Sequence, residues 1–254
     1  MQELTLSRIT GRPISLNYFP LSGSNEAVIF VGGSGDTRNT FNALVLELQK
    51  RTNRPVVTFS FSGVEENKQP TLNQQTSDLL EILQYSKSML KFSSIAILCT
   101  SMGAYSTTEA LLDKQFDPFI SKVVFIDPAD YYITEAQSLN PKTWSGFESY
   151  NPNKETISQK LAKISSSVII DVIHSFLRNH GPNGYLPVAD RGSDKFGYFP
   201  RLSTLMVKSF FDFTPDKNKG SYIEDEQIPH AFMRDGDIDK NIVRIVELIG
   251  TCLV

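Results

Sequence analysis

The stretch Ser94-Ile95-Ala96-Ile97-Leu98-Cys99-Thr100-Ser101-Met102-Gly103-Ala104 decides the fold class. Its first six residues are almost continuously apolar, without the alternation of a half-exposed strand, which is the pattern of a strand covered on both faces. Met102 to Leu112 then reads as a helix that opens directly from the strand, so Ser101 falls on a tight strand-to-helix turn. Working outward, three more short β-branched or aromatic runs appear: Ala27 to Val31, Val56 to Phe61, and Val123 to Ile126. Between them, Thr40 to Lys50 carries Phe41, Leu44, Val45 and Leu48 at helical spacing, and Leu72 to Leu90 carries Leu79, Leu80, Ile82, Leu83 and Leu90. Strand and helix alternate, which predicts an α/β fold with a mostly parallel central sheet and helices on both faces.

Toward the C-terminus the pattern loosens. Asn140-Pro141, Ser145-Gly146 and Asn151-Pro152 punctuate a polar, aromatic-bearing stretch, and an insertion is expected at about 131–167. A strand candidate follows at Val168 to His174, then a Gly/Pro-rich loop and a helix expected at Arg201 to Phe211, entered through Pro200. The last strand is expected at Tyr222 to Ile228. A closing helix, Ile238 to Ile249, is expected to carry Ile242, Val243, Ile245, Val246 and Ile249 on one side. No repeat divides the chain, so residues 1–254 are read as one domain.

Composition narrows the function classes. The chain has 254 residues, 25 basic and 28 acidic side chains and a net charge of −3, with no concentrated Lys/Arg block. Nucleic acid and anionic membranes are disfavoured as partners, because such binding neutralises many phosphates. A small-molecule substrate fits better. The two cysteines, Cys99 and Cys252, are too few for a disulfide framework in a chain this size, which points to a reducing, cytoplasmic setting. The N-terminus lacks the charged-then-apolar order of a signal peptide, and no apolar run approaches the roughly 18 residues of a membrane span.

Ligands of open α/β sheets bind outside the carboxyl ends of the strands, which directs attention to Ser101. Cysteine and glycine are small enough to let the chain turn sharply there, and the new helix aims its N-terminus at the hydroxyl. A plainer reading makes Ser101 an N-cap. Cys99-Thr100-Ser101-Met102-Gly103 resembles the nucleophile elbow of the α/β-hydrolase superfamily, G-x-S-x-G, with Cys99 in place of the first glycine. The resemblance extends to the order of strands over nearly the whole chain. Gly32-Gly33-Ser34-Gly35-Asp36, after the run Ala27 to Val31, resembles the loop that supplies a backbone N–H to the oxyanion hole in that superfamily. By that analogy the donors are the N–H groups of Ser34 and Met102. No third glycine completes a dinucleotide fingerprint and no glycine-lysine pair completes a P-loop.

A serine hydroxyl needs a base, and histidine is suited because it titrates near neutrality. Of the three histidines, His174 falls within a strand pattern and His180 in the Gly/Pro loop. His230 follows the last strand candidate, the place of the catalytic histidine in the superfamily, and is preferred. For the acid, Asp127 lies in Phe125-Ile126-Asp127-Pro128, which resembles the aspartate-proline segment of pancreatic-type lipases and chlorophyllase-like esterases. Asp190 and Asp194 stay open as alternatives. Glu224, Asp225, Glu226, Asp235, Asp237 and Asp239 are read as solvated charges that do not match a Ca²⁺ loop, and no Cys/His spacing suggests zinc.

The resemblance implies a serine hydrolase acting through an acyl-enzyme on an ester, thioester or amide, with no cofactor. The aromatic group Tyr131, Tyr132, Trp144, Phe147 and Tyr150 suggests a small to medium apolar acyl group, or else forms the insertion's own core. Two alternatives stand beside this reading: an acyltransferase with the same nucleophile, and a non-catalytic ligand-binding or scaffold protein on the same fold.

Overall fold

The computed structural model describes residues 1–7, 11–33, 35–66, 68, 70–126, 160–165, 167–174, 219–225, 228 and 237–253. Within them the strands β1 (Gln2–Leu6), β2 (Ile14–Phe19), β3 (Glu26–Val31), β4 (Val56–Phe59), β5 (Ser94–Thr100), β6 (Ile120–Ile126), β7 (Ile169–His174) and β8 (Lys219–Glu224) form one sheet. Its order is β1-β2-β4-β3-β5-β6-β7-β8. The β1–β2 and β2–β4 pairs are antiparallel, and every pair from β4 through β8 is parallel.

Four α-helices pack on this sheet among the described residues: α1 (Asn42–Thr52), α2 (Leu72–Ser88), α3 (Gly103–Leu112) and α4 (Ile238–Leu253). Two separate apolar clusters show which face each covers. Leu72, Leu79, Ile82 and Leu83 of α2 pack with Ala104 and Ala110 of α3 against Ile29, Ile97 and Val123. Leu44, Val45 and Leu48 of α1 pack with Ile242, Ile245 and Ile249 of α4 against Val28, Leu98 and Val124. Successive strand residues therefore feed opposite layers, and burial on both faces explains the unalternating apolar runs. Burying each such side chain stabilises the fold by about 1.5–3 kcal/mol before entropy is counted.

Local chemistry sets the helix ends. The Thr71 hydroxyl accepts from the Gln74 N–H at 3.2 Å and starts α2. Asn53, left-handed at φ 52°, ends α1 and donates its N–H to the Gln49 carbonyl. Asp237 caps α4, its carboxylate accepting from the Lys240 N–H at 3.2 Å.

The strands and helices expected within the described residues are present, several with shifted ends. β4 stops at Phe59, α2 at Ser88, and the last strand is Lys219–Glu224 rather than Tyr222 to Ile228. Val243 does not share the buried side of the closing helix. It is 55% exposed, because one residue along a helix turns about 100° away from Ile242. The helix expected at Arg201 to Phe211 lies outside the described residues, as does nearly all of the insertion expected at 131–167.

A buried carboxyl group and its lysine tie α4 to the sheet. Asp171 on β7 is 2% exposed, and its Oδ2 lies 3.8 Å from Lys122 Nζ. Lys122 also donates to the Cys252 carbonyl in the last turn of α4, where a cation is favoured. The Ser221 N–H donates to Asp171 Oδ1. Burial pushes the Asp171 carboxyl above its ordinary value, and the Ser221 N–H and the Lys122 charge offset this only in part. The folded chain thus keeps a proton that the unfolded chain has already released. The stability from this group is full below the ordinary carboxylate pKa and is lost as pH rises through the raised one. Asp171→Asn removes that slope. Urea titrations at stepped pH should show the stability of the variant relative to the native chain rising across this window and levelling above it, whereas a pH-independent difference contradicts the assignment.

Candidate active site

The chain leaves β3 through α1 to β4 on one side, while β5 is the neighbour of β3 on the other. Connections diverging from one point leave a crevice at the carboxyl ends of β3 and β5, the usual ligand site of such sheets. Val31 is in register with Cys99, so the glycine loop after β3 and the serine after β5 emerge side by side.

Ser101 occupies that crevice with φ +46°, in the left-handed region that a non-glycine residue seldom adopts. Its N–H donates to the Ile126 carbonyl at 3.1 Å and its carbonyl accepts from the Ala104 N–H at 3.2 Å. The turn is therefore bonded to the adjacent strand on one side and to the first turn of α3 on the other. The tightness has a cause at Gly103. A Cβ there would lie 2.5 Å from the Gly32 carbonyl oxygen and 2.8 Å from that of Val31, so only glycine lets α3 start this close to the end of β3. Gly33 faces the serine itself, its missing Cβ only 3.2 Å from Ser101 Cβ. The N-cap of α3 is Met102, which makes no side-chain cap bond. Ser101 is thus not spent as a cap residue, and it stays half-buried at the crevice.

Cys99 stands where the elbow pattern has its first glycine. It is fully buried, its thiol donates to the Val124 carbonyl on β6 at 3.8 Å, and burial pushes the thiol pKa up. A thiol held protonated this way is packing material rather than a nucleophile.

The glycine loop is held by polar groups that the sequence places inside the core. Asp36 Oδ2 accepts from the Gly33 N–H at 2.7 Å. Downstream, the Arg38 N–H donates to Ser60 Oγ at 2.8 Å, and the Arg38 carbonyl accepts from Thr58 Oγ1 at 2.8 Å. Asn17 Nδ2 donates to Asn39 Oδ1 at 2.8 Å. Asn17, Thr58 and Ser60 are all buried, and these bonds account for their place there.

No protein-family model matches the sequence, and no curated protein matches it. Solved structures do. A thermostable carboxyl esterase from Bacillus coagulans aligns over 100% of this chain and 99% of its own, with TM-score 0.66 and 10% identity. Mouse alpha/beta hydrolase domain-containing protein 10 aligns over 99% of both chains, with TM-score 0.61 and 14% identity. An alpha-beta serine hydrolase homologue from Coxiella burnetii aligns over 100% of this chain and 97% of its own, with TM-score 0.60 and 15% identity. The chain has the α/β-hydrolase fold.

Ser101 and Met102 form the turn between β5 and α3. Ser34, Asp127 and His230 lie outside the described residues, as do His180, Asp190, Asp194 and the side chain of His174. Ile126, the residue before Asp127, is the acceptor of the Ser101 N–H. One expectation is corrected. Asp225 is not a solvated charge: it is 5% exposed and paired with Arg244 Nε at 2.7 Å, because the start of α4 packs over the end of β8. Two contributors went unread in the sequence, the Asp36 bond to Gly33 and the Cys99 bond to the Val124 carbonyl. An aspartate three residues after a glycine is a local signal for the first. The second joins two strands and has no sequence signature. Among the described residues no group of three or more His, Cys, Asp and Glu side chains is arranged to hold a metal ion.

The left-handed backbone at Ser101 carries a stability cost of about 1–2 kcal/mol for a residue with a Cβ. Ser101→Gly should therefore be more stable than Ser101→Ala by about 1 kcal/mol in urea denaturation. Equal stability, or a more stable alanine variant, contradicts a strained elbow.

Proposed function

We propose that this protein is a serine hydrolase that cleaves an ester, thioester or amide of a small to medium apolar acid. The observation that carries the reading is Ser101, held in a left-handed turn at the crevice with its N–H bonded to the residue that precedes Asp127. In the proposed reaction His230 takes the Ser101 proton and Ser101 attacks the substrate carbonyl. Asp127 orients the imidazole and stabilises its charged form. The N–H groups of Ser34 and Met102 receive the developing oxyanion, beside the positive end of α3. His230 returns the proton to the leaving group, and water then resolves the acyl-enzyme by the reverse steps.

Several features support these roles. The order Ser101, Asp127, His230 is that of the superfamily. Strands β5 to β8 are parallel, so the chain leaves β8 at the same sheet edge as Ser101. Crossing three strand spacings takes about 14 Å, and the six residues from Glu224 to His230 reach about 20 Å when extended. Ile228 is buried in the same apolar cluster as Leu98 and Ile126. The similar structures include a carboxyl esterase and a serine hydrolase homologue. Tyr131, Tyr132 and Trp144 are the proposed source of an apolar acyl pocket. Cys99 and Cys252 are free and buried, which agrees with the cytoplasmic setting we propose. Among the described residues, no helix is long and apolar enough to cross a membrane.

A fluorophosphonate probe tests the reading. The native protein should be labelled on Ser101 and Ser101→Ala should not. With p-nitrophenyl butyrate as substrate, Asp127→Asn should lower kcat by about 10⁴-fold, while Asp190→Asn and Asp194→Asn stay within about tenfold of native. A large loss at Asp190 or Asp194 instead moves the acid and keeps the enzyme class. Labelling with rapid transfer to an added alcohol and little hydrolysis identifies an acyltransferase, and absence of labelling in the native protein overturns the serine reading in favour of a binding protein.

A further inference from the structure

We propose that Asp36 is a positioning residue for the reaction at Ser101, its carboxylate locking the Gly33 peptide against the serine. This rests on the serine-hydrolase reading and adds to it a residue that never touches the reacting atoms.

Three contacts carry the inference. Asp36 Oδ2 accepts from the Gly33 N–H at 2.7 Å, a short bond of the charge-assisted kind. The Asp36 N–H in turn donates to the Gly33 carbonyl at 3.4 Å, so the same residue grips both ends of the Gly33 unit. A Cβ on Gly32 would lie 2.6 Å from Asp36 Cβ, which shows that the aspartate folds under the turn instead of pointing away from it. The direction in which Gly33 lacks a Cβ lies 3.2 Å from Ser101 Cβ and 3.3 Å from Asp36 Oδ2. Gly33 therefore turns one side to both the carboxylate and the serine.

The base of the turn is itself fixed. The Thr37 N–H donates to Thr40 Oγ1 at 2.9 Å, and the Arg38 peptide is bonded to Ser60 and Thr58. The Arg38 guanidinium pairs with Glu65 at 3.1 Å and with Glu3 at 3.3 Å. The chain on the far side of Asp36 is held by β2 and β4, so the Asp36 bond ties Gly33 to that framework. A chemical consequence follows. The Gly33 N–H is committed to Asp36 and is not a donor to the oxyanion, so the loop's donor has to come from beyond Gly33 in the chain. Asparagine keeps an acceptor oxygen in the same place. Alanine removes it, and glutamate displaces it by one methylene.

The test is the kinetics of Ser101 labelling by a fluorophosphonate, whose transition state also builds charge on an oxygen facing this loop. Asp36→Ala should lower the limiting labelling rate by on the order of 10²-fold at nearly unchanged half-saturating probe concentration, as expected when reacting groups are misplaced by about an ångström. Asp36→Asn should stay within about fivefold of native, because the acceptor geometry survives even though the charge does not. Thermal melting of each variant separates a folding defect from a defect at the site. Should Asp36→Ala fail to fold, Asp36→Glu carries the test with the same expected loss. Native labelling rates in Asp36→Ala or Asp36→Glu, or an Asp36→Asn variant as slow as they are, overturn the positioning role while the serine hydrolase stands. A native protein that is not labelled at all overturns both.

Discussion

An L-amino acid at φ +46° has its Cβ crowded against its own backbone, and it stays there only if its surroundings leave no alternative. At Ser101 those surroundings are identifiable. The Ile126 carbonyl holds the serine N–H, the first turn of α3 holds its carbonyl, and Gly103 brings the helix down onto the last carbonyls of β3. Each of these depends on register. Val31 beside Cys99 and Thr100 beside Ile126 align the ends of three parallel strands, and that alignment rests on two buried layers of apolar side chains. The strain at one residue is thus supported by the packing of the whole sheet.

The polar groups around the crevice follow the same logic. Buried Asn17, Thr58 and Ser60 would each cost about 1–3 kcal/mol if left without partners. Here they bond the chain that descends from the glycine loop, so the core of the molecule and the wall of the crevice are one network. Preorganised dipoles assist reactions most when they need not move as charge develops. A loop fastened to two strands, facing a serine fastened to a third, meets that condition. Half-buried Lys122 and buried Asp171 play a different part, tying the C-terminal helix to the sheet.

Much of this was legible in the sequence, for reasons that differ by residue. Strands β3 to β6 announce themselves because burial on both faces demands unbroken apolar runs, and the Ser101 turn because it follows such a run with small residues. The hairpin of β1 and β2 did not stand out. β1 is largely exposed, and β2 carries a buried Asn17 whose partners lie more than twenty residues away. Val243 looked like a core residue because composition says nothing about the angle at which a helix settles. Asp225 looked solvated because its partner, Arg244, is brought to it only by the packing of α4. The Asp36 bond is local in sequence, but its meaning depends on Ser101 lying across from Gly33, which only the β3–β5 register provides.

The α/β-hydrolase fold hosts many activities, so function here depends on whether the strained serine is a nucleophile. Rapid-quench mass spectrometry of the intact protein with p-nitrophenyl butyrate addresses that directly. The account predicts a transient adduct of one butyryl group, located by fragmentation on Ser101 and lost as butyrate is released. Turnover without any adduct, or an adduct on another residue, would contradict it.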